Sequence, residues 1–386
     1  MKSERQFLLA ALVIATVVVL RGALALGQGG DRIEFSADAT STEFVEDGVV
    51  KRYTGNVVAV SGDLELRSTE AVYDSRIGET RLYGATTLRD TVRTVWADTI
   101  IYHDKTNEAL ARGNVRGEEK GRSFRAGWIR YRRNLRFLEG FDGVTVKDDS
   151  LRSSMTGLSM AFNDSTRNGM VIGMPSLVRE DDEGVIITLT AADTILVFQK
   201  EKTARIWNKV TVRRDSMEAV SAVAVYEESL ERVTMLGSPL VHHIMHGTGD
   251  EDKIPIRITS EVAGDTLYVF LKERALDGVN VIGNATGAAV ATDSTGAVYY
   301  RSSLESRRMR VDLKENRIRE VIAEGIASSY YMHAPSKKNG RMFVNTAKGD
   351  TIRFYFSDGH ISDMRILGMG GGDRKSTRLN SSHGKL

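Results

Sequence analysis

Aromatic residues close an apolar alternation at near-constant intervals along this chain, at Phe44, Tyr73, Tyr102, Tyr131, Phe162, Phe198, Tyr226 and Phe270. The first three steps are 29 residues each, and the later ones are 31, 36, 28 and 44. Eleven residues after five of these aromatics stands a glycine: Gly55, Gly84, Gly113, Gly173 and Gly237. Looser copies end at Gly143, Asn208 and Gly283, and the series fades through Gly325 and Gly368. Two short motifs share the frame. One is Gly-Asn-Val or a relative, at Gly55–Val57, Gly113–Val115 and Gly283–Ala285; the other is Ala/Gly-Asp-Thr-Ile/Leu, at Ala97–Ile100, Ala192–Ile195, Gly264–Leu267 and Gly349–Ile352. A fixed period of this length means one supersecondary unit repeated, each copy burying its apolar face against the next.

Inside each unit the period is two. The second and fourth residues after the motif aspartate are always apolar: Ile100 and Tyr102, Ile195 and Val197, Leu267 and Val269, Ile352 and Phe354. Successive strand side chains point to opposite faces, so these pairs are expected to share the buried face, with Thr99 and Thr194 on the other. Turn chemistry follows at Asp104–Asn107, Asn168-Gly169 and Asp358-Gly359. Each repeat of about 29 residues therefore reads as strand, turn and return strand ending on glycine. There the Gly-Asn pair supplies positive φ at the hairpin end, and the aspartate bonds to backbone at the strand entry. The 36 glycines and 4 prolines suit a chain that turns often and keeps its N–H groups for pairing. Segment 215–233 comes nearest to a helical period, but Val220, Val223 and Val225 fit alternation as well and sit in the frame. The expected fold is all-β, a stack of antiparallel hairpins well formed over 31–240 and continuing in degenerate form over 241–369.

The two ends bear on where the chain works. Lys2 and Arg5 precede an apolar run from Phe7 to Leu20, followed by Arg21 and by Ala23-Leu24-Ala25. A run of this length suits a signal peptide and falls short of the ~18–20 residues that span a bilayer. Residues 1–25 are thus expected to be an export signal, cleaved or retained as an anchor. Residues 373–386 resemble the translated sequence of a sequencing adapter, keep no periodicity and follow Gly370-Gly371-Gly372. They are expected to be an artefact, with the natural C-terminus lost. These two segments hold seven basic and two acidic residues, so setting them aside moves the formal charge from +2 to −3. Overall charge then gives no argument for a nucleic-acid partner.

Several chemistries are excluded. With no cysteine there are no disulfides, iron–sulfur clusters, thiolate zinc sites or thiol nucleophiles. No phosphate-binding Gly-x-x-x-x-Gly-Lys loop, Gly-x-Ser-x-Gly elbow or His-Glu-x-x-His occurs, so neither enzyme activity nor a cofactor is expected. His242, His243 and His246 near Asp250 and Asp252 have metal-ligand chemistry. On a strand, however, His242 and His246 stand ~13 Å apart with His243 on the other face, whereas zinc needs nitrogens at ~2 Å. No metal is expected.

The Gly-Asn-Val, Ala-Asp, aromatic and glycine pattern, clearest between Gly55 and Val115, resembles the OstA/LptA-like family of lipopolysaccharide-transport proteins over roughly residues 36–368. The resemblance implies an extended antiparallel β-jellyroll, two facing sheets open along one seam as a trough. It implies a periplasmic carrier that hands lipopolysaccharide toward the outer membrane, with lipid A acyl chains in the trough. It also implies partners among other jellyroll proteins of that pathway, joined by edge strands. Ile100, Tyr102, Ile195, Val197, Leu267, Val269, Ile352 and Phe354 are then the lipid-groove candidates. Arg125, Arg130 and Arg132 belong to the densest basic stretch, interleaved with Phe124, Trp128 and Tyr131. They are either contacts to lipid phosphate at the rim or a solvated strand face. Three readings compete: the N-terminal periplasmic part of an outer-membrane assembly protein, a structural β-solenoid or adhesin with a closed core, and a polysaccharide-active β-helix enzyme.

Overall fold

In strand β6 (Thr94–His103), Val95 and Ala97 are buried and so are Ile100 and Tyr102, so the buried parity changes between Ala97 and Ile100. A straight strand cannot do this, because its inward positions keep one parity throughout. The strand bends at Ala97-Asp98, and its pairing register shifts at the same place. This bend recurs through the chain and determines the architecture.

The computed structural model describes residues 33–119, 121–180, 184–248, 255–272, 275–314, 317–333, 343–357 and 360–368. They form 27 strands and two single 3₁₀ turns, with no α-helix among the described residues. Segment 215–233 is strand rather than helix over Met217–Glu227. Every register described between strands is antiparallel, including those of consecutive hairpins. The chain divides into two compact units, one holding 33–184 and 190–205 and the other 185–189 and 206–368. The division lies upstream of residue 240, where the motif begins to degrade.

In the first unit, β1 (Glu34–Ser36) and β2 (Ala39–Val45) both pair with the long β3 (Gly48–Ser61), β2 along Gly48–Thr54 and β1 along Val58–Val60. The strands β4 (Leu64–Asp74), β5 (Glu79–Arg89), β6, β7 (Glu108–Glu119) and β8 (Arg122–Arg132) follow. Their mutual registers slip at Thr54/Val57, Arg67/Glu70, Tyr83/Thr86, Trp96/Thr99 and Arg112/Val115. Each long strand thus contributes one half to sheet I, on the β2 side of the slip, and one half to sheet II, on the β1 side. After β8 the halves become separate strands. Sheet I continues through β9 (Phe137–Phe141), β12 (Ser159–Asn163), β13 (Asn168–Ile172) and β16 (Thr194–Phe198). Sheet II continues through β10 (Val144–Asp148), β11 (Ser153–Gly157) and β14 (Ser176–Glu180).

The second unit uses the same device. Its β18 (Met217–Glu227) pairs with β19 (Arg232–Leu236) through one half and β20 (Leu240–Thr248) through the other. Strands β21 (Pro255–Ala263) and β22 (Thr266–Lys272) then meet the two halves of β23 (Ala275–Asp293) on either side of Gly283-Asn284. Long bent strands resume with β24 (Val298–Lys314), β25 (Arg317–His333) and β26 (Phe343–Ser357).

Two expectations need correction. The frame glycines lie at corners, within a strand at Gly55, Gly84, Gly113 and Gly283 and between two strands at Gly143, Gly173 and Gly237, not at hairpin ends. Asn168-Gly169 opens β13, and its turn is residues 164–167, where Asn163 Oδ1 accepts the Ser165 and Thr166 N–H groups at 2.9 Å. Phe198 and Phe270 lie on the face opposite the buried Val197 and Val269, as the alternation expects, whereas Tyr102, Phe162 and Tyr226 are buried. The turn expected at Asp358-Gly359 lies outside the described residues.

Candidate functional site

The bend is built by the two sequence motifs acting on each other. Gly55 and Asn56 both take the left-handed conformation, at φ 72° and 44°, and the pair recurs at Gly113-Asn114 and Gly283-Asn284. Glycine enters that region freely and asparagine more readily than most residues. Across the corner, Asn56 Nδ2 donates to Asp38 Oδ2 and Asn114 Nδ2 to Asp98 Oδ2, each at 2.9 Å. Asn284 Nδ2 reaches both oxygens of Asp265 at 3.2 Å. The Asp38 N–H donates to Gly55 O, and the Asp265 N–H to Gly283 O, at 2.9 Å. A Cβ on Gly55, Gly113 or Gly283 would overlap the facing carboxylate. At the next corner Thr69 replaces aspartate, its hydroxyl donating to Tyr83 O at 3.1 Å. One edge of the first unit is therefore a line of backbone corners, and the second unit repeats the device at Gly283-Asn284.

Between the sheets lies an apolar interior. Sheet I sends in Ala71, Leu82, Ile100, Ala111 and Ile129, and sheet II sends in Ala59, Leu66, Leu88, Val95 and Val115. Of the eight groove candidates, Ile100, Tyr102, Ile195, Val197, Leu267, Val269 and Ile352 are buried. Phe354 is half-buried against Ala323, Ala327, Ala347 and Ile352. Their side chains pack the interior, and Tyr102 Oη donates to Asn107 Oδ1 at 2.8 Å near the turn end of sheet I.

The opposite edge is closed by side chains. Arg93, in the β5–β6 turn of sheet II, reaches Asp164 in the β12–β13 turn of sheet I, Nη2 to Oδ2 at 2.7 Å. Arg93 is 3% and Asp164 12% exposed at the side chain. The guanidinium lies over the Tyr131 ring at 5.2 Å and has Asp90 within 3.8 Å. Burial works against its charge, but Asp164 and the neighbouring groups overcome this and hold its pKa above the usual arginine value. Burial likewise pushes the Tyr131 hydroxyl up to about 12. One rung earlier, Arg133 of sheet I pairs with Asp63 in the β3–β4 turn of sheet II. The two bridges join residues 70 and 71 apart, the same stagger repeated.

Arg130 and Arg132 alternate with the inward Ile129 and Tyr131 and so point outward from sheet I. Arg130 makes a two-point contact with Glu139 at 2.8 and 3.1 Å, and Arg132 reaches the same carboxylate at 2.9 Å. They form a neutralised cluster on the outer face rather than a rim to the interior. Arg125 is exposed on the outer face of sheet II. His242 pairs with Glu261 at 3.3 Å, whereas His243 is buried, its pKa lowered by burial and by His242. Asp250 and Asp252 lie outside the described residues. Sequence reasoning did not find Arg93, Asp164, Asp63 or Arg133, because their pairing depends on the stagger between sheets.

Bent-strand hairpin repeats, corners on one edge and an apolar interior define a β-jellyroll. No family model matches the sequence, and no curated protein matches it. Among solved structures the chain is similar to LptH of Pseudomonas aeruginosa, described as the LptA-homologous periplasmic component of the lipopolysaccharide transport device. That likeness has 19% identity over 26% of this chain and 76% of that one, with a TM-score of 0.24.

Proposed function

We propose that the chain is a periplasmic lipid carrier that takes the acyl chains of lipopolysaccharide between its sheets, passing them between membrane-bound partners. The supporting observation is the asymmetry of the edges: one side of the apolar interior is closed by backbone, and the other, in the first unit, by side-chain bridges. Parting the sheets at the bridged edge exposes Ile100, Ile195 and their neighbours without breaking a strand ladder. Each methylene buried there returns about 0.8 kcal/mol, so several acyl chains can offset the lost side-chain packing. A structural solenoid is the competing reading, favoured by the burial of seven of the eight groove candidates.

A photo-reactive residue at Ile100, Ile195 or Leu267 separates the two. A carrier crosslinks to lipopolysaccharide from these positions and not from Thr99 or Thr194. Equal labelling from both faces, or none from either in a folded protein, leaves the structural solenoid.

A further inference from the structure

At the bridged edge the inner face of sheet II carries an acid. In β7, Val115, Gly117 and Glu119 share one parity, so Glu119 points inward with the core, and it is 4% exposed. The pairing of Thr94 with Glu118, carried one step outward, sets Arg93 directly opposite Glu119. Side chains so placed start ~4.5–5.5 Å apart at Cβ. Three charged groups therefore meet at this rung: Arg93 and Glu119 on sheet II, and Asp164 on sheet I. Each keeps one buried atom without a hydrogen-bond partner, Arg93 Nε, Glu119 Oε1 and Asp164 Oδ1. Buried polar atoms left unpaired destabilise an arrangement, so the same groups have a second pairing within reach. In the closed edge Arg93 bonds Asp164 across the seam; in the alternative it turns to Glu119 on its own sheet.

The other charges among the described residues around Glu119 have partners of their own. Arg122, opposite Glu119 on β8, donates to Asp148 Oδ2 at 2.6 Å. Burial works to raise the Asp148 carboxyl, but hydrogen bonds from Ser150 and Arg122 hold it below the usual aspartate value, which keeps Arg122 occupied. Asp90 stays within 3.8 Å of Arg93 on the same turn, and Tyr131 lies under the guanidinium. Burial raises the Glu119 carboxyl above its usual value; Arg93 and Arg122 oppose this, and Asp164 and Asp90 add to it. We infer that Glu119 is an acid–base latch on the bridged edge, competing with Asp164 for Arg93. Protonated, Glu119 leaves Arg93 to Asp164 and the edge stays shut. Ionised, it draws Arg93 onto sheet II and faces Asp164 with like charge, and the edge parts. The closed edge holds the proton more tightly than an open one, where water reaches the carboxyl, so a rise in pH favours opening. The latch needs the sheets to part at this edge, as the carrier reading has it, but it needs no lipid.

The chain has no cysteine, so Thr91→Cys with Ser165→Cys, both exposed and on the two facing turns, places a pair of nitroxide labels across the edge. Pulsed electron-spin measurements on the lipid-free full chain then give their separation. Between about pH 5 and about pH 8, above the ordinary carboxylate range, a longer-distance population should at least roughly double. Glu119→Gln, neutral at every pH, should hold the short distance throughout, and Asp164→Asn should give the long one at both ends of the range. Histidine ordinarily titrates in the same window, but His103, the one in this unit, keeps its place beside Glu79 in the Glu119→Gln protein. An unchanged distance in the parent, an unchanged pH response in Glu119→Gln, or a short distance throughout in Asp164→Asn overturns the latch. A static edge that still crosslinks lipid removes the latch and keeps the carrier. A pH-dependent edge that never crosslinks lipid keeps the latch on a structural protein.

Discussion

The two edges of the first unit close the same interior by opposite means. At the corner edge the chain itself crosses from sheet to sheet, and Asp98, Gly113 and Asn114 only fix the angle. At the bridged edge no backbone crosses among the described residues, and Arg93–Asp164 and Arg133–Asp63 hold the turn ends together. Backbone corners resist salt and acid because their geometry rests on left-handed torsions. Ion pairs depend on both partners keeping their charge.

The largest test breaks the bridged edge at its buried rung. Asp164→Asn leaves Arg93 charged and buried without its closest partner, and about 3 kcal/mol of stability should be lost in chemical denaturation. Arg93→Met with Asp164→Leu should restore most of it; a cost below about 1 kcal/mol for the single change means that this pair does not hold the seam. Gly113→Ala attacks the other edge. Left-handed torsion in alanine costs about 1–2 kcal/mol, and the overlap with Asp98 adds to it. Adding Asp98→Gly to that variant should remove the overlap and leave the torsional part, which a double-mutant cycle measures. Asn114→Ala should cost about 1–2 kcal/mol, one exposed hydrogen bond together with the poorer fit of alanine to the left-handed torsion.

Smaller effects sharpen the contrast. Asp63→Asn at the more exposed rung should cost under about 1 kcal/mol at low salt and nothing measurable at high salt. The pH test concerns His243 on β20 in the second unit. Its folded pKa lies below the ordinary value of 6.5, so the unfolded chain binds more protons as the solution is acidified. Stability is then full above about pH 6.5 and falls as pH drops toward the depressed folded pKa. His243→Leu should flatten that part of the profile. An unchanged slope means that His243 does not contribute to it.

Much of the fold was legible because corner chemistry leaves a fixed residue signature. Glycine opens the corners at Gly55, Gly113 and Gly283, asparagine follows it in the left-handed region, and a short acceptor, Asp38, Asp98 or Asp265, faces each pair, so the frame of 29 residues is visible in the letters. The inward pairs Ile100/Tyr102 and Ile195/Val197 followed from alternation. A bend within one strand was not legible, because two short alternating runs read the same whether a turn or a corner divides them. The pairing of Arg130 with Glu139 was within reach, since the β8–β9 hairpin places them directly opposite. The bridge from Arg93 to Asp164 was not, because no local periodicity encodes how far one sheet is staggered against the other.

That stagger sets an order of assembly. Each hairpin finds its ladder partner in the segment just before it, a short closure with a small entropic cost, so the array can zip up behind a chain emerging from one end. The rung at Arg93 waits for Asp164, 71 residues further on. Two adjacent hairpins can therefore be laddered while the gap above them still stands open to solvent. Pulsed hydrogen exchange during refolding should protect amides of β5 and β6 before the Arg93 turn; simultaneous protection would mean that the sheets close as they form.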